Sequence, residues 1–498
     1  MSLKQFLARQ IAKYAVYRSN KWSKKPIQTQ EKVLSYLILK AKKTSFGKEH
    51  DFDSIQTYED FKLKVPIRDY EALRHYIDRI RKGEKSVLWP GNPLFFAKTS
   101  GTTSGAKYIP LTKESMTFQI SAAKNALLHY IYWSGNADFV DGKMIFLQGS
   151  PNLNQSEIIP SGRLSGIVAN YVPTYLQRNR LPSYAINCIE DWEEKLGGIV
   201  KETLNEDMRL ISGIPSWVQM YFEKLQHKSG MSISELFPKF SLFVYGGVNY
   251  EPYRAKFQSM IGKNIDSIEL YPASEGFIAF QDNYKEKGLL LLLDSGIFYE
   301  FINAEEFNDP EPNRIFLNEV QLGVNYVLIL NTNAGLWGYN IGDLVQFTSL
   351  DPFRIIVSGR IKHFTSAFGE HVIANEVEES IRIAQEACSE AIVAEFTVAP
   401  QVKPLNGLPY HEWLIEFSQS PNNVKYFSEV LDLALQNQNS YYKDLRKGMI
   451  LRSIEISLLK KGAFKDFMKK KGRLGGQNKI PRLANDRSIA DALLMKKK

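Results

Sequence analysis

Apolar positions along the chain recur first at a helical period and later in strand-sized runs, and the order of the two patterns outlines the fold. Residues 3–44 read as helical: Phe6, Ile11, Tyr14 and Ala15 make one apolar face, and Val33, Tyr36, Leu37 and Leu39 a second. A basic amphipathic first helix either packs on its own core or touches a membrane surface. Thr57–Phe61 and Pro66–Glu71 carry helix-start signals, and Lys113–Trp133 reads as a long helix. Lys143–Leu147, Leu210–Ser212, Ser241–Tyr245 and Ile265–Tyr271 are short apolar runs, three of them ending in Gly or Ser turns, with helices at Ile189–Asn205 and up to Leu225 between them. That alternation predicts an α/β sheet whose ligands sit at the carboxyl ends of its strands. Residues 152–183 form a long irregular stretch of the kind that often binds ligands.

From Leu289 the pattern changes. Gly288–Asp294, Phe298–Ile302, Asn325–Asn331, Gly342–Thr348 and Phe353–Val357 are strands without long helices between them, which predicts an antiparallel, barrel-like part. Ser358-Gly359-Arg360-Ile361-Lys362 reads as a hinge. Beyond it, helices at Asn375–Ser389 and Val424–Gln436 alternate with strands at Ala391–Val398, Glu412–Phe417 and Ser453–Leu459. The expected organisation is a large N-terminal domain over 1–358 and a small mobile α+β domain over 359–498, with Lys469–Asp486 as a mobile segment.

Charge adds little to this picture. The chain carries a formal +9, but residues 460–498 hold 13 Lys and Arg against 3 Asp and Glu, so the rest is near neutral. A basic surface for nucleic acid is therefore not expected; the tail is either solvated or a mobile element that meets a phosphate. The two cysteines, Cys188 and Cys388, have no metal-ligand spacing and suit a reducing compartment. No signal-like start and no membrane-length apolar run is present, so a cytoplasmic protein with no membrane partner is expected.

The candidate chemistry begins at Phe96–Thr112. Thr99, Ser100, Thr102, Thr103 and Ser104 supply hydroxyl donors around Gly101 and Gly105, and Lys107 supplies a charge. Glycines let backbone N–H groups approach an anion closely, so the stretch suits a polyphosphate. It is not a Walker A loop, which needs four residues between its glycines and Ser or Thr after its lysine; a solvated Ser/Thr/Gly turn is the competing reading. Two carboxylates follow, Glu275 in Tyr-Pro-Ala-Ser-Glu and Asp343 in Gly-Leu-Trp-Gly-Tyr-Asn-Ile-Gly-Asp. Alone, each reads as helix capping or turn chemistry. With the loop they describe ATP use: Glu275 can hold magnesium and Asp343 can accept from ribose hydroxyls.

This ordered set, closed by Gly-Gly-Gln-Asn-Lys-Ile-Pro-Arg at 475–482, resembles the adenylate-forming superfamily of acyl-CoA synthetases and luciferases. Within it the chain is most similar to the acyl-acid amido synthetases, the auxin-responsive Gretchen Hagen family and its bacterial relatives. Lys-Tyr-Ile-Pro, where the acyl-CoA branch has Pro-Lys-Gly, favours that branch. The resemblance implies that Ser100, Thr102, Thr103, Lys107 and Ser274 serve the ATP phosphates, that Gly246, Gly247 and Val248 wall the adenine, and that Tyr271 stacks near the base. It implies that Glu275 binds Mg2+, Asp343 takes the ribose, Arg360 and Lys362 contact nucleotide from the hinge, and Lys479 reaches the reacting phosphate. Pro272-Ala273 replaces small polar residues common in the family, and Trp337 and Asn340 stand where many relatives have Tyr and Arg. The implied reaction is ATP-dependent adenylation of a small carboxylic acid, then transfer to an amino acid amine with release of AMP and pyrophosphate.

No histidine, among them His129, His363, His371 and His411, stands out as the base for that amine. Leu127, Tyr130, Ile131, Tyr171, Tyr175, Phe277 and Trp337 are candidates for the wall around the acid, each equally at home in a core. Arg163 or Arg178 offers a partner for a second substrate carboxylate. The competing functions are an acyl-CoA ligase on the same fold, a catalytically inactive binding relative, and a nucleic-acid binder using the basic tail.

Overall fold

The computed structural model describes the chain apart from residues 1, 100–106, 172–176, 248–249, 308, 310, 362–371, 403, 448–450, 472–479, 485–486 and 496–498. The chain divides into two compact units, one of residues 1–248, 256–341 and 345–356, the other of 249–255, 342–344 and 357–498.

The first unit is built on a twelve-stranded sheet. Its parallel part runs Arg180–Leu181, Lys143–Phe146, Met208–Ser212, Leu242–Gly246 and Asp266–Pro272 in spatial order, each parallel to the next. Leu242, Phe243, Val244 and Tyr245 are all buried, as the continuous apolar run of a strand covered on both faces requires. At Pro272 the chain doubles back into Phe277–Phe280, antiparallel to its neighbour. Leu289–Leu291, Phe353–Arg360, Tyr339–Leu350, Asn325–Thr332, Ile297–Asn303 and Arg314–Ile315 then continue the same sheet. The strands after Leu289 form the expected antiparallel part, and they continue the parallel half within one sheet; the short strand Phe277–Phe280, too brief to show alternation, is the link.

Helices flank the sheet where the sequence signals place them. Leu3–Ser23 and Pro26–Ala41 cover 3–44, Tyr58–Lys64 starts at a Thr57–Asp60 capping box, Tyr70–Arg81 at an Asp69 cap, and Lys113–Ser134 at a Thr112–Ser115 box. A capping side chain satisfies an otherwise orphaned N–H, which is why these starts are legible. A small sheet, Lys107–Leu111, Phe95–Thr99 and Ser161–Gly162, stands apart from the large one. A buried ion pair ties the antiparallel half to the chain before it. Arg314 Nε lies 2.9 Å from Glu300 Oε1, Arg314 Nη1 donates to the Val65 carbonyl at 2.9 Å, and Asn331 Nδ2 donates to Glu300 Oε2 at 2.8 Å.

The second unit has its own core. Antiparallel Ile392–Gln401 and Tyr410–Gln419, with Glu455–Leu459 parallel to the latter, form a three-stranded sheet. Ala374–Ala387 and Val424–Gln438 supply Val377, Ile381, Phe427 and Leu431 to the core with Trp413 and Ile415. Helices at Ser440–Lys447, Ala463–Lys470 and Ser488–Leu494 complete the described part. Most of Lys469–Asp486, expected to be mobile, lies outside the described residues. No described helix is long and apolar enough to cross a membrane.

Candidate active site

The turn at 273–276 is the centre of the candidate site. Ala273 N donates to the Gly276 carbonyl at 2.9 Å and Gly276 N to that of Ala273 at 3.2 Å, so Ser274 and Glu275 occupy the tip of a tight reversal. Glu275 thus projects from a hairpin turn between two strands and caps no helix. Ser274 is buried and Glu275 half-buried. Tyr339 Oη donates to Glu275 Oε1 at 3.4 Å. Burial of that phenol, reinforced by the Glu275 charge, pushes its pKa well above the usual value, so it remains a donor.

Tyr339 is held by backbone. Arg68 N donates to the Gly338 carbonyl and Asn340 N to the Arg68 carbonyl, both at 2.8 Å. Gly338 has φ +54°, and a β-carbon there would fall 2.4 Å from the Pro66 carbonyl oxygen, so the close approach needs glycine. Two residues beyond Arg68, Tyr70 Oη accepts from Tyr108 N at 2.9 Å. Lys107 Nζ sits 5.7 Å from the centre of the Tyr70 ring. Thr99 pairs with Lys107 in the hairpin register, so both ends of the hydroxyl-rich loop are fixed there. The helix that follows is fastened to the same turns: Thr112 Oγ1 donates to the Asn333 carbonyl and Gln119 Nε2 to the Ala273 carbonyl, each at 2.9 Å.

Of the expected nucleotide residues, Lys107, Tyr271, Ser274 and Glu275 therefore belong to one connected set at the carboxyl ends of the parallel strands. Gly246 ends the neighbouring strand, where a β-carbon would fall 2.4 Å from the Leu270 carbonyl oxygen, and Gly247 follows with φ +78°. Asp343 is buried on the strand Tyr339–Leu350, four residues after Tyr339, in the stretch that groups with the second unit. Arg360 ends its strand, its side chain outside the described residues. Ser100, Thr102, Thr103, Val248, Lys362 and Lys479 also lie outside them.

The expected acyl-wall residues do not form one group. Leu127, Ile131 and Phe277 join a single apolar cluster under the helix Lys113–Ser134. Tyr171 meets Phe95 edge-on at 5.7 Å. Trp337 is enclosed by Phe46, Phe52, Phe61 and Trp89, its indole donating to the Leu88 carbonyl at 3.1 Å.

A second group at the same sheet end has no sequence motif. Lys195 is buried, and its ammonium donates to the carbonyls of Gln148 at 3.0 Å and Asn187 at 2.7 Å. Burial, then the Arg163 charge, lowers its pKa to about 8. Arg180 Nη2 donates to Gln148 Oε1 at 2.8 Å, and burial lowers its pKa to about 10. Arg163 and Ser165 crowd Gly149: a β-carbon there would lie 2.8 Å from Arg163 Cδ and 3.4 Å from Ser165 Oγ. The buried atoms Gln148 Nε2 and Ser165 Oγ have no hydrogen-bond partner, and no carboxylate pairs with Arg163, Arg180 or Lys195 among the described residues. Sequence reading singled out Arg163 but passed over Lys195, which in a helix reads as an ordinary solvated lysine. The polar turn Gln148–Pro151 after a buried strand was the available signal.

The described residues hold no cluster of three or more His, Cys, Asp or Glu able to cage a metal. A magnesium ion needs no such cage; it binds one or two carboxylates, water and substrate phosphates. Glu275, a hard oxygen donor on a fixed turn, fits that demand.

Three family models match in order along the chain: the GH3 family N-terminal domain over residues 16–170, the central domain over 290–360 and the C-terminal domain over 375–488. Jasmonoyl–L-amino acid synthetase JAR4 of Nicotiana attenuata is 22% identical over 87% of this chain and 86% of its own length. Indole-3-acetic acid-amido synthetase GH3.4 of Arabidopsis thaliana is 22% identical over 92% and 89%. Among solved structures, AtGH3.15 acyl acid amido synthetase in complex with 2,4-DB superposes with a TM-score of 0.80 at 16% identity, covering 97% of this chain and 96% of that one. A 2-hydroxyisobutyryl-CoA ligase with bound 2-HIB-AMP gives 0.60 at 12% identity over 94% and 91%. The fold is that of the adenylate-forming enzymes.

Proposed function

The chain belongs to the GH3 family, whose three domain models together cover well over half of it, and from that premise we propose that it is a carbon–nitrogen ligase joining a small carboxylic acid to an amino acid. The observation that carries this reading is the link from Glu275 through Tyr339, Arg68 and Tyr70 to Lys107, which ties the candidate metal carboxylate to the base of the candidate phosphate loop.

In the first half-reaction a substrate carboxylate oxygen attacks the α-phosphorus of ATP, and pyrophosphate leaves. Negative charge develops on the phosphoryl oxygens, where preorganised donors are worth several kcal/mol each, on the order of 3. Ser100, Thr102, Thr103, Lys107 and Ser274 hold the phosphates, and Lys479 meets the reacting one. A magnesium ion on Glu275 would supply charge neutralisation between phosphates. Gly246, Gly247, Val248 and Tyr271 border the adenine, Asp343 takes the ribose, and Arg360 and Lys362 contact nucleotide from the hinge at 358–362. In the second half-reaction the neutral amine attacks the acyl carbon and AMP leaves. Leu127, Ile131 and Phe277 border the acid on one side and Tyr171, which belongs to a different group, on another, while the enclosed Trp337 acts indirectly by fixing the Gly335–Gly338 turn.

An amino acid acceptor always brings a carboxylate. We assign it to Lys195, Arg163, Ser165 and Gln148, the uncompensated donors at the same sheet end. Two strand spacings, about 10 Å, separate that edge from the Gly246 turn. The test is acid-dependent pyrophosphate release across a panel of acids, followed by mass analysis with amino acids and with coenzyme A. Amide and AMP support the ligase; thioester in place of amide moves the chain to the acyl-CoA branch, and nucleotide binding without release to an inactive relative.

A further inference from the structure

The first helix, Leu3–Ser23, is mounted with its small residues inward. Ala12, Ala15, Val16 and Ser19 are buried, whereas Leu3, Phe6, Leu7, Ile11, Tyr14 and Tyr17 are exposed, from 46% for Phe6 to 74% for Leu3. At 100° per residue those six share one face opposite Ala12 and Ser19, a stripe with Gln10, Arg18 and Lys21 interleaved among them. The orientation is fixed at both ends: Ser2 Oγ and Gln5 Nε2 donate to the Asp141 carboxylate at 2.8 and 2.9 Å, and Ser19 Oγ lies 3.0 Å from His129 Nε2. Lys4 borders this face on one side and Lys13 on the other, Arg18 and Lys21 lie within it, Arg9 sits beyond Lys13 with its Nε buried, and Lys24 and Lys25 follow. The first 30 residues contain these 7 cations and no Asp or Glu.

We propose that this helix docks the protein onto an anionic lipid surface, its apolar face at the headgroup–acyl boundary and its lysines among the headgroups. An apolar face bordered by cations is the composition of a helix that lies in the membrane interface. Among the described residues no helix can span a bilayer, so the contact is peripheral. A second copy of the chain is the poorer occupant, because stripe against stripe would bring two sets of seven cations together. A nucleic acid would meet the cations and leave the stripe in water. This departs from the expectation of no membrane partner, and it stands apart from the reaction proposed above.

The test is co-sedimentation of the full chain with sucrose-loaded vesicles of phosphatidylcholine alone or with about one third phosphatidylserine. Binding is expected to the anionic vesicles alone and to weaken steeply between about 0.1 and 0.5 M salt. Leu7→Glu/Ile11→Glu is expected to weaken it by about tenfold or more, and Lys4→Gln/Lys13→Gln by several-fold, on the order of the anionic-lipid term for two charges. Unchanged thermal melting shows that the exposed substitutions leave the fold intact; should the first variant unfold, Tyr14→Ser/Tyr17→Ser reads the same stripe. The proposal is overturned by equal pelleting with both vesicle types, by no pelleting with either, or by a dimer that the stripe variant abolishes without any vesicle binding.

Discussion

Two places along the carboxyl edge of the large sheet carry groups of opposite charge. At 273–276 a carboxylate, Glu275, receives a long hydrogen bond from a buried phenol. At 148–149 an ammonium, Lys195, donates only to neutral carbonyls, beside Arg163 and two unpartnered polar atoms. Burying a charge without a counter-charge is costly, and structural sites normally pair it. The antiparallel half shows the alternative: Glu300 and Arg314 are as buried as Lys195 and pair with each other. The contrast sets an ion pair that holds the fold together beside the Lys195 group, proposed above to meet an acceptor carboxylate, and Glu275, proposed above to meet a cation.

The comparison breaks most visibly at Glu275. Glu275→Gln is expected to slow acid-dependent pyrophosphate release by about 100- to 1,000-fold, the loss seen when one preorganised charge stabiliser is removed. A change under about threefold would remove Glu275 from the reaction. Lys195→Met is expected to raise the KM for the amino acid by about 10- to 100-fold, the worth of a charged hydrogen bond, while leaving acid-driven pyrophosphate release unchanged. Equal losses in both half-reactions would move the cation cluster to the acyl or nucleotide side.

The pH dependence of the same lysine sharpens the point. With its pKa at about 8, Lys195 loses its charge as pH rises from 7 to about 9, so acceptor KM, expressed on the neutral-amine form, should rise through that window and stay flatter in Lys195→Arg. Stability should move the other way. The folded pKa lies below the unfolded one, the unfolded chain therefore binds more protons between about 8 and 10.5, and urea midpoints should increase with pH there. Tyr339→Phe is the smallest change: its 3.4 Å bond is long, and activity should fall only a few-fold, with stability shifted by no more than about 1 kcal/mol.

Local signals in the chain proved readable wherever local physics decides. Thr57, Asp69 and Thr112 announce helix starts because their side chains cap the next turn. The strand before Gly246 shows because a parallel strand covered on both faces is an unbroken apolar run. What escaped was tertiary. Four apolar residues at 277–280 could not reveal that they splice two sheet halves together. Trp337, conspicuous in a motif, is gripped by Phe46, Phe52 and Phe61 from far earlier in the chain. Lys195 shows its desolvation only once the turn carrying Gln148 is packed against it.

The account rests on a carboxylate oxygen attacking the α-phosphorus of ATP, and an isotope can follow that atom. With both carboxylate oxygens of the acid labelled by 18O, one label should appear in AMP and one in the amide carbonyl. Label in inorganic phosphate, with ADP as the nucleotide product, would mean attack at the terminal phosphorus and would contradict it.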